Sequence, residues 1–190
     1  KTIQYFQLAN NKNLFSQLIF ESICAEEDII KQDIKKSIYY YELAANQNHP
    51  LALNNLAFAY FTGDFYEKNI SKAIHYFKLS SDQNYSDSQH LLGILYFKGY
   101  YVPYDIKKAI HYFTLAANQN HAISQYNLGV IFLSKYYGYF DINKSIKYFT
   151  LSSNQNYCYS QYSLALIYHE GLYVKQDIDK SIYYYELAAK

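Results

Sequence analysis

The sequence predicts an all-α fold, an α-solenoid of stacked, antiparallel two-helix repeats of about 36 residues each. Three observations predict it. A Gln-Asn step returns at a fixed interval, in "AANQNH" at 44–49 and 116–121, in "SSDQNY" at 80–85 and in "SSNQNY" at 152–157. Asp33, Asn69, Asp105, Asp141 and Asp177 each open a segment of one design, of which "DIKKAIHYFTLAANQN" is typical. Between these segments lies a second pattern, "ALNNLAFAYFTG", "SQHLLGILYFKG", "SQYNLGVIFLSK" and "SQYSLALIYHEG". A two-helix unit cannot bury its apolar face alone, so units repeated at this period must stack.

Residues 1–15 look like the second helix of a preceding partial repeat, and repeat 1 at 16–51 is degenerate, with Glu21 where other units carry a small residue. Repeats 2, 3 and 4 follow at 52–87, 88–123 and 124–159, and a truncated repeat 5 occupies 160–190 of one continuous solenoid. Neither end shows a polar cap, which points to a piece of a longer protein.

Within a repeat, helix A comes first. Leu56, Leu92, Leu128 and Leu164 recur in it, as do the small residues Ala57, Gly93, Gly129 and Ala165 and the rings Tyr60, Tyr96, Phe132 and Tyr168. A glycine inside a helix costs about 1 kcal/mol against alanine, so Gly93 and Gly129 imply close approach of a second helix. Gly63, Gly99 and Gly171 stand where a left-handed residue ends a helix. Helix B follows. In its third copy Ile106, Ala109, Ile110, Phe113, Ala116 and Ala117 form one helical stripe, and Asp105 is its N-cap. Asn48, Asn84, Asn120 and Asn156 occupy the reversal into the next helix A. Asn enters the left-handed region more readily than other non-glycine residues, so the Gln-Asn step reads as a helix C-cap. A ladder of asparagines binding a ligand is the other reading.

Composition narrows the function classes. The chain is 51% hydrophobic and 17% charged with net charge +1, so it can bury a core and has no electrostatic pull toward nucleic acid. All 17 basic residues are lysine, and bidentate phosphate and base recognition leans on arginine. The 26 tyrosines read as compositional bias rather than special chemistry. Cys24 and Cys158 fall at different places in the repeat, which argues against a disulfide framework, and no CxxC or Cys/His metal spacing exists. No apolar run reaches the length of a membrane span. No signal peptide opens the chain, which favours the cytoplasm, although a first residue of Lys1 leaves a removed leader open.

The segments "SQYNLGVIF", "SQHLLGILYFKGYYVPYD" and "KKAIHYFTLAANQN" closely resemble the Sel1-like repeat, a relative of the tetratricopeptide repeat. The resemblance covers nearly the whole chain and implies a right-handed superhelix. Departures are local. The family's closing Gly after Gln is Asn throughout, the glycine after helix A is Lys135 in repeat 4 and Glu27 in repeat 1, and the second loop glycine is Tyr101, Tyr137 and Tyr173.

No nucleophile, phosphate-loop or zinc-protease motif is present, so no catalytic residue, metal or cofactor is expected. The histidines His49, His75, His90, His111, His121 and His169 include two pairs one or two periods apart and none that is local, so they read chiefly as surface residues. Glu26, Glu27 and Asp28 read as a solvated helix end. What the resemblance offers instead is a groove lined by helix A. Counted from the small residue, its positions are three before and one, four and five after. They give Asn54, Phe58, Phe61 and Thr62; His90, Ile94, Phe97 and Lys98; Tyr126, Val130, Leu133 and Ser134; Tyr162, Leu166, His169 and Glu170. Such a face suits a protein or peptide partner, and packing between neighbouring repeats is the alternative for several positions. No small-molecule substrate is evident. The expected function is a non-enzymatic adaptor, as family members in quality control and signalling imply. The alternative is a targeting arm of a larger enzyme, such as a kinase, whose catalytic domain lies elsewhere.

Overall fold

In the computed structural model, residues 39, 41–63 and 66–189 are described. The expectations for residues 1–15, for helix A of repeat 1 and for Asp33 and Cys24 lie outside them. Every long element among the described residues is an α-helix: α1 (Pro50–Thr62), α2 (Ile70–Asp82), α3 (Ser86–Lys98), α4 (Ile106–Ala117), α5 (Ala122–Leu133), α6 (Ile142–Ser153), α7 (Cys158–Glu170) and α8 (Ile178–Ala188). Odd-numbered helices carry the A pattern and even-numbered helices the B pattern. The chain divides into two compact units, Lys1–Gln83 and Asn84–Lys190.

In the first unit α1 lies along α2. Ala45, Ala52, Leu53 and Leu56 form its core, flanked by Tyr41, Tyr60, Tyr66 and Tyr76. Ser80 Oγ donates to the Pro50 carbonyl at 2.7 Å, joining the end of α2 to the start of α1. In the second unit α3 pairs with α4, α5 with α6 and α7 with α8, while α5 also packs on α4 and α7 on α6. That alternation is the stacking that the period requires.

The glycines inside helix A have the expected cause. A Cβ built on Gly93 would stand 2.6 Å from the Phe113 ring, and one on Gly129 would stand 2.6 Å from the Phe149 ring. Phe113 and Phe149 have at most 1% of their surface exposed, so each ring is locked against the partner backbone. Ser145 adds to this contact by donating to the Gly129 carbonyl at 2.8 Å, and Ser181 donates to the Ala165 carbonyl at 3.0 Å.

Both kinds of connection are built from local chemistry. On the A-to-B side the carboxylates of Asp105, Asp141 and Asp177 accept from the backbone N–H three residues on at 3.0 Å, and Asn69 Oδ1 does the same. The N–H of each cap residue donates to the carbonyl of the helix A ring residue, as Asp105 does to Tyr96 at 3.0 Å. Those rings lie nearly parallel to rings of helix B, at 5.9 Å for Tyr60–Tyr76, 5.7 Å for Tyr96–Tyr112, 5.8 Å for Phe132–Tyr148 and 6.0 Å for Tyr168–Tyr184. Lys72, Lys108, Lys144 and Lys180 each set an ammonium 5.0–5.3 Å from the helix A ring, a favourable cation–π distance.

On the B-to-A side Asn48, Asn84, Asn120 and Asn156 have φ of 58°, 60°, 60° and 60°. The N–H of His121 returns to the Ala116 carbonyl at 3.1 Å, which closes the helix in the left-handed cap geometry that the Gln-Asn step predicts. Gly63, Gly99 and Gly171 are left-handed as well, at 84°, 71° and 64°. Repeat 4 lacks that glycine. There α5 ends at an extended Ser134, a 3-10 turn runs over Lys135–Tyr137, and the left-handed residue is Gly138 at 75°.

Candidate functional site

The helix A face can be taken row by row. At three residues before the small position, Asn54 and His90 are buried, Tyr126 is half-buried and Tyr162 is exposed. Their side chains share one arrangement. Each ring at this place meets the helix B ring of its own repeat: His90–Phe113 and Tyr126–Phe149 at 5.7 Å, Tyr162–Tyr185 at 5.8 Å. His90 and Tyr126 also meet the N-cap residue of the next helix A, His90–His121 at 4.6 Å and Tyr126–Tyr157 at 5.4 Å. This row is therefore a junction between repeats at His90 and Tyr126, and Tyr162 is its exposed member.

At one residue after the small position, Phe58 is 44% exposed and touches Phe77 edge-on. Ile94, Val130 and Leu166 are half-buried, and Ile94 and Val130 flank the cores of the second unit. In the next row Phe61, Phe97 and Leu133 are half-buried while His169 is exposed. Phe97 packs 5.3 Å from Tyr137 of the following loop. In the outermost row Thr62, Lys98 and Glu170 are exposed and Ser134 is half-buried.

One constellation escaped the period. His49, His75, His111 and His169 are exposed, as surface histidines should be, but His90 is buried and His121 is half-buried beside it. Ser124 Oγ lies 2.9 Å from His90 Nδ1 and 3.0 Å from His121 Nδ1. The Ser124 backbone N–H donates to His121 Nδ1 at 3.1 Å, so His121 caps α5. His121 Nε2 faces the Asp87 carboxylate at 3.6 Å. Burial first, and then the neighbouring His121, pushes His90 down to about 4, against the pull of Asp87. Burial and Asp87 push the Tyr85 phenol, which donates to that carboxylate, up to about 12. Ser124, His121 and Asp87 stand in the order of a hydrolytic triad, yet Ser124 has 0% of its surface exposed and its hydroxyl is engaged by both rings, so no substrate reaches it. The signal in the sequence was the pairing of the row before the small residue with the next N-cap, which Tyr126 and Tyr157 repeat.

A second feature also went unread. Gln119 Nε2 donates to Gln89 Oε1 at 2.7 Å, and Gln155 Nε2 to Gln125 Oε1 at 2.7 Å, tying the end of helix B to the start of its own helix A. Gln125 Nε2 donates to the Ala117 carbonyl at 3.1 Å across the corner. The Gln of the Gln-Asn step thus has a partner, and the Asn has a backbone role.

Among the described residues no three His, Cys, Asp or Glu side chains converge as a metal site, and no helix is long and apolar enough to cross a membrane. A cleft of about 310 Å³ lies in the first unit between Tyr60, Tyr66, Glu67, Lys68, Asn69 and Lys72, at the A-to-B loop and away from the helix A rows.

Comparison with known proteins gives a consistent result. The Sel1 repeat matches residues 24–49, 50–85, 86–121, 122–157 and 158–190. The structure is similar to that of a protective antigen present in uropathogenic Escherichia coli strains and displaying an SLR fold, with 28% identity and a TM-score of 0.76 over 80% of this chain and 32% of that one. This chain thus spans about a third of the length of that antigen. It is also similar to a Sel1 repeat protein from Oxalobacter formigenes, with 22% identity and a TM-score of 0.75 over 100% of this chain and 84% of that one. A putative Sel1 repeat protein from Klebsiella pneumoniae subsp. pneumoniae matches at 19% identity and a TM-score of 0.56, over 99% and 91% of the two chains. No curated protein matches the sequence.

Proposed function

This chain belongs to the Sel1 repeat family, and on that premise we propose that it is a non-enzymatic adaptor that holds a segment of another protein along the helix A face. Sel1-repeat solenoids generally serve as protein–protein interaction scaffolds. The observation that carries the reading here is the mixed exposure of that face. Ile94, Val130 and Leu166, with Phe97 and Leu133, are apolar side chains left half-buried at repeated places, while Lys98, Tyr162, His169 and Glu170 stand exposed beside them. Apolar surface rimmed by polar groups is the usual make-up of a protein-binding patch. A net charge of +1 without arginine favours a protein ligand over nucleic acid.

The test is photocrosslinking. A photoreactive residue is placed at Lys98 or Tyr162 on helix A, or at the exposed Lys147 or Tyr183 on helix B. Helix A probes should trap the bound protein and helix B probes should not. Crosslinks confined to the helix B probes would move binding to the other face and overturn the reading.

A further inference from the structure

Hydrogen-bond bookkeeping at Ser124 fixes where the protons are. The Ser124 backbone N–H donates to His121 Nδ1 at 3.1 Å, so that nitrogen presents a lone pair and His121 carries its proton on Nε2, toward Asp87. The Ser124 hydroxyl has a single proton for two imidazole nitrogens, at 2.9 and 3.0 Å. Only one arrangement satisfies both contacts: His90 Nδ1–H donates to Ser124 Oγ, and Ser124 Oγ–H donates to His121 Nδ1. His121 must keep its Nδ1 lone pair, whereas His90 keeps its Nδ1–H in either state and is held neutral by its burial. A proton added to His121 lands on Nδ1 and sets a ring N–H against the backbone N–H of Ser124. A proton added to His90 places a charge in a buried site against a second imidazole 4.6 Å away.

We propose that His90, Ser124 and His121 form an acid-sensitive latch between successive repeats, closed while both imidazoles are neutral and opened when either takes a proton. Three observations favour it. Among the N-caps of α1, α3, α5 and α7, His121 is the one whose side chain caps its helix, so losing it costs α5 a bond that the other A helices do not use. The groups facing the rings are Asp87 and Tyr85 from the start of α3, Ser124 from α5 and the apolar Phe113 ring from α4. Asp87 is the single charge among them, and it gives a protonated His121 a counterion once the ring has left the cap. The next junction has the same design with Tyr126 and Tyr157, 5.4 Å apart, in place of the histidines. Burial raises both of those phenols, so that junction stays neutral throughout the acid range.

The sign follows from linkage. A buried imidazole at about 4, against about 6.5 in the unfolded chain, binds fewer protons folded than unfolded between those values. Stability from the latch is therefore complete above about pH 6.5 and lost as pH falls toward 4.

Amide hydrogen exchange and imidazole nitrogen NMR on the whole chain test this. After correction for intrinsic rates, exchange at the Ser124 amide should accelerate about 20-fold between pH 7 and pH 5, while the equivalent Ser160 amide changes little. His90→Tyr with His121→Tyr, which imports the neighbouring junction, should remove the acceleration. If the double variant does not fold, the contrast between Ser124 and Ser160 in the unaltered chain decides. Equal acid responses at the two serines, or a His90 ring that titrates near 6.5, would overturn the proposal.

Discussion

The α3–α5 junction and the α5–α7 junction occupy the same places in successive repeats and differ in the rings that fill them. The first sets His90 against His121 at 4.6 Å, and the second sets Tyr126 against Tyr157 at 5.4 Å. His90 and Tyr126 each pack on a buried helix B phenylalanine, Phe113 or Phe149, at 5.7 Å. The backbone is the same and the chemistry is not. A repeat protein fixes its geometry in the residues its units share, here the left-handed Asn, the small residue and the N-cap of repeats 2, 3 and 4. That leaves the junction rings free to differ, and one pair of imidazoles makes a single junction respond to pH while its neighbour does not.

The largest effect tests what the two junctions share. Gly93→Val and Gly129→Val both drive a side chain into a locked ring, since even a Cβ stands 2.6 Å away. Each should cost about 2–3 kcal/mol in denaturant unfolding. A gap between the two variants wider than about 1 kcal/mol would mean that the repeats are not equivalent after all. Next comes the contrast itself. Lowering the pH from 7 to 5 should cost the unaltered chain ~2 kcal/mol through His90, seen as a fall in Tm that His90→Tyr with His121→Tyr reduces. The converse pair, Tyr126→His with Tyr157→His, should steepen that fall by installing a second titrating junction. An unchanged pH profile there would show that position alone does not make a latch.

A smaller effect belongs to the corners. Asn120→Gly and Asn156→Gly should be neutral or slightly stabilising, because φ is 60° at both. Asn120→Val and Asn156→Val should each cost about 1–2 kcal/mol, since a β-branched residue resists that region. Equal Tm values for the Gly and Val variants would remove the capping role. The smallest change is Asp105→Asn, expected to leave Tm nearly unaltered because Asn69 makes the same cap at 3.0 Å. Asp105→Ala, which removes the acceptor, should lower Tm by a few degrees.

These four tests also mark what could be read from the chain alone. The corners were legible at Asn48, Asn84, Asn120 and Asn156 because preference for the left-handed region is a property of one residue. The close helix contact was legible at Gly93 and Gly129 because a glycine inside a helix needs a reason that sequence can supply. The junctions were not. His90 and His121 meet by joining one place in a helix A to a different place, the N-cap of the following helix A, and equal spacing does not reveal such pairs. The Gln89–Gln119 and Gln125–Gln155 bonds were hidden because each joins two different places within one repeat. Which helix A side chains are exposed was also beyond reach. Phe97 and Leu133 share a register with His169, and burial there depends on what the following repeat places against them.

Repeat 4 shows how unequal the two ends of a repeat are as places to edit. Its A-to-B connection has exchanged the terminating glycine for a 3-10 turn and a Gly138 with open space around it. Even so, the Asp141 N–H still reaches the Phe132 carbonyl at 2.8 Å. At the opposite end each turn is pinned by a left-handed Asn, and Gln bonds tie the helices that meet there. A label, epitope or foreign domain spliced in beside Gly138 would ride on the array without disturbing its register, as exposed loop tips allow. The same insertion at Asn120 would separate helices that the corner holds together. For anyone engineering the chain, the A-to-B loop at Gly138 is an attachment point, and the B-to-A corners permit changes only in whole repeats.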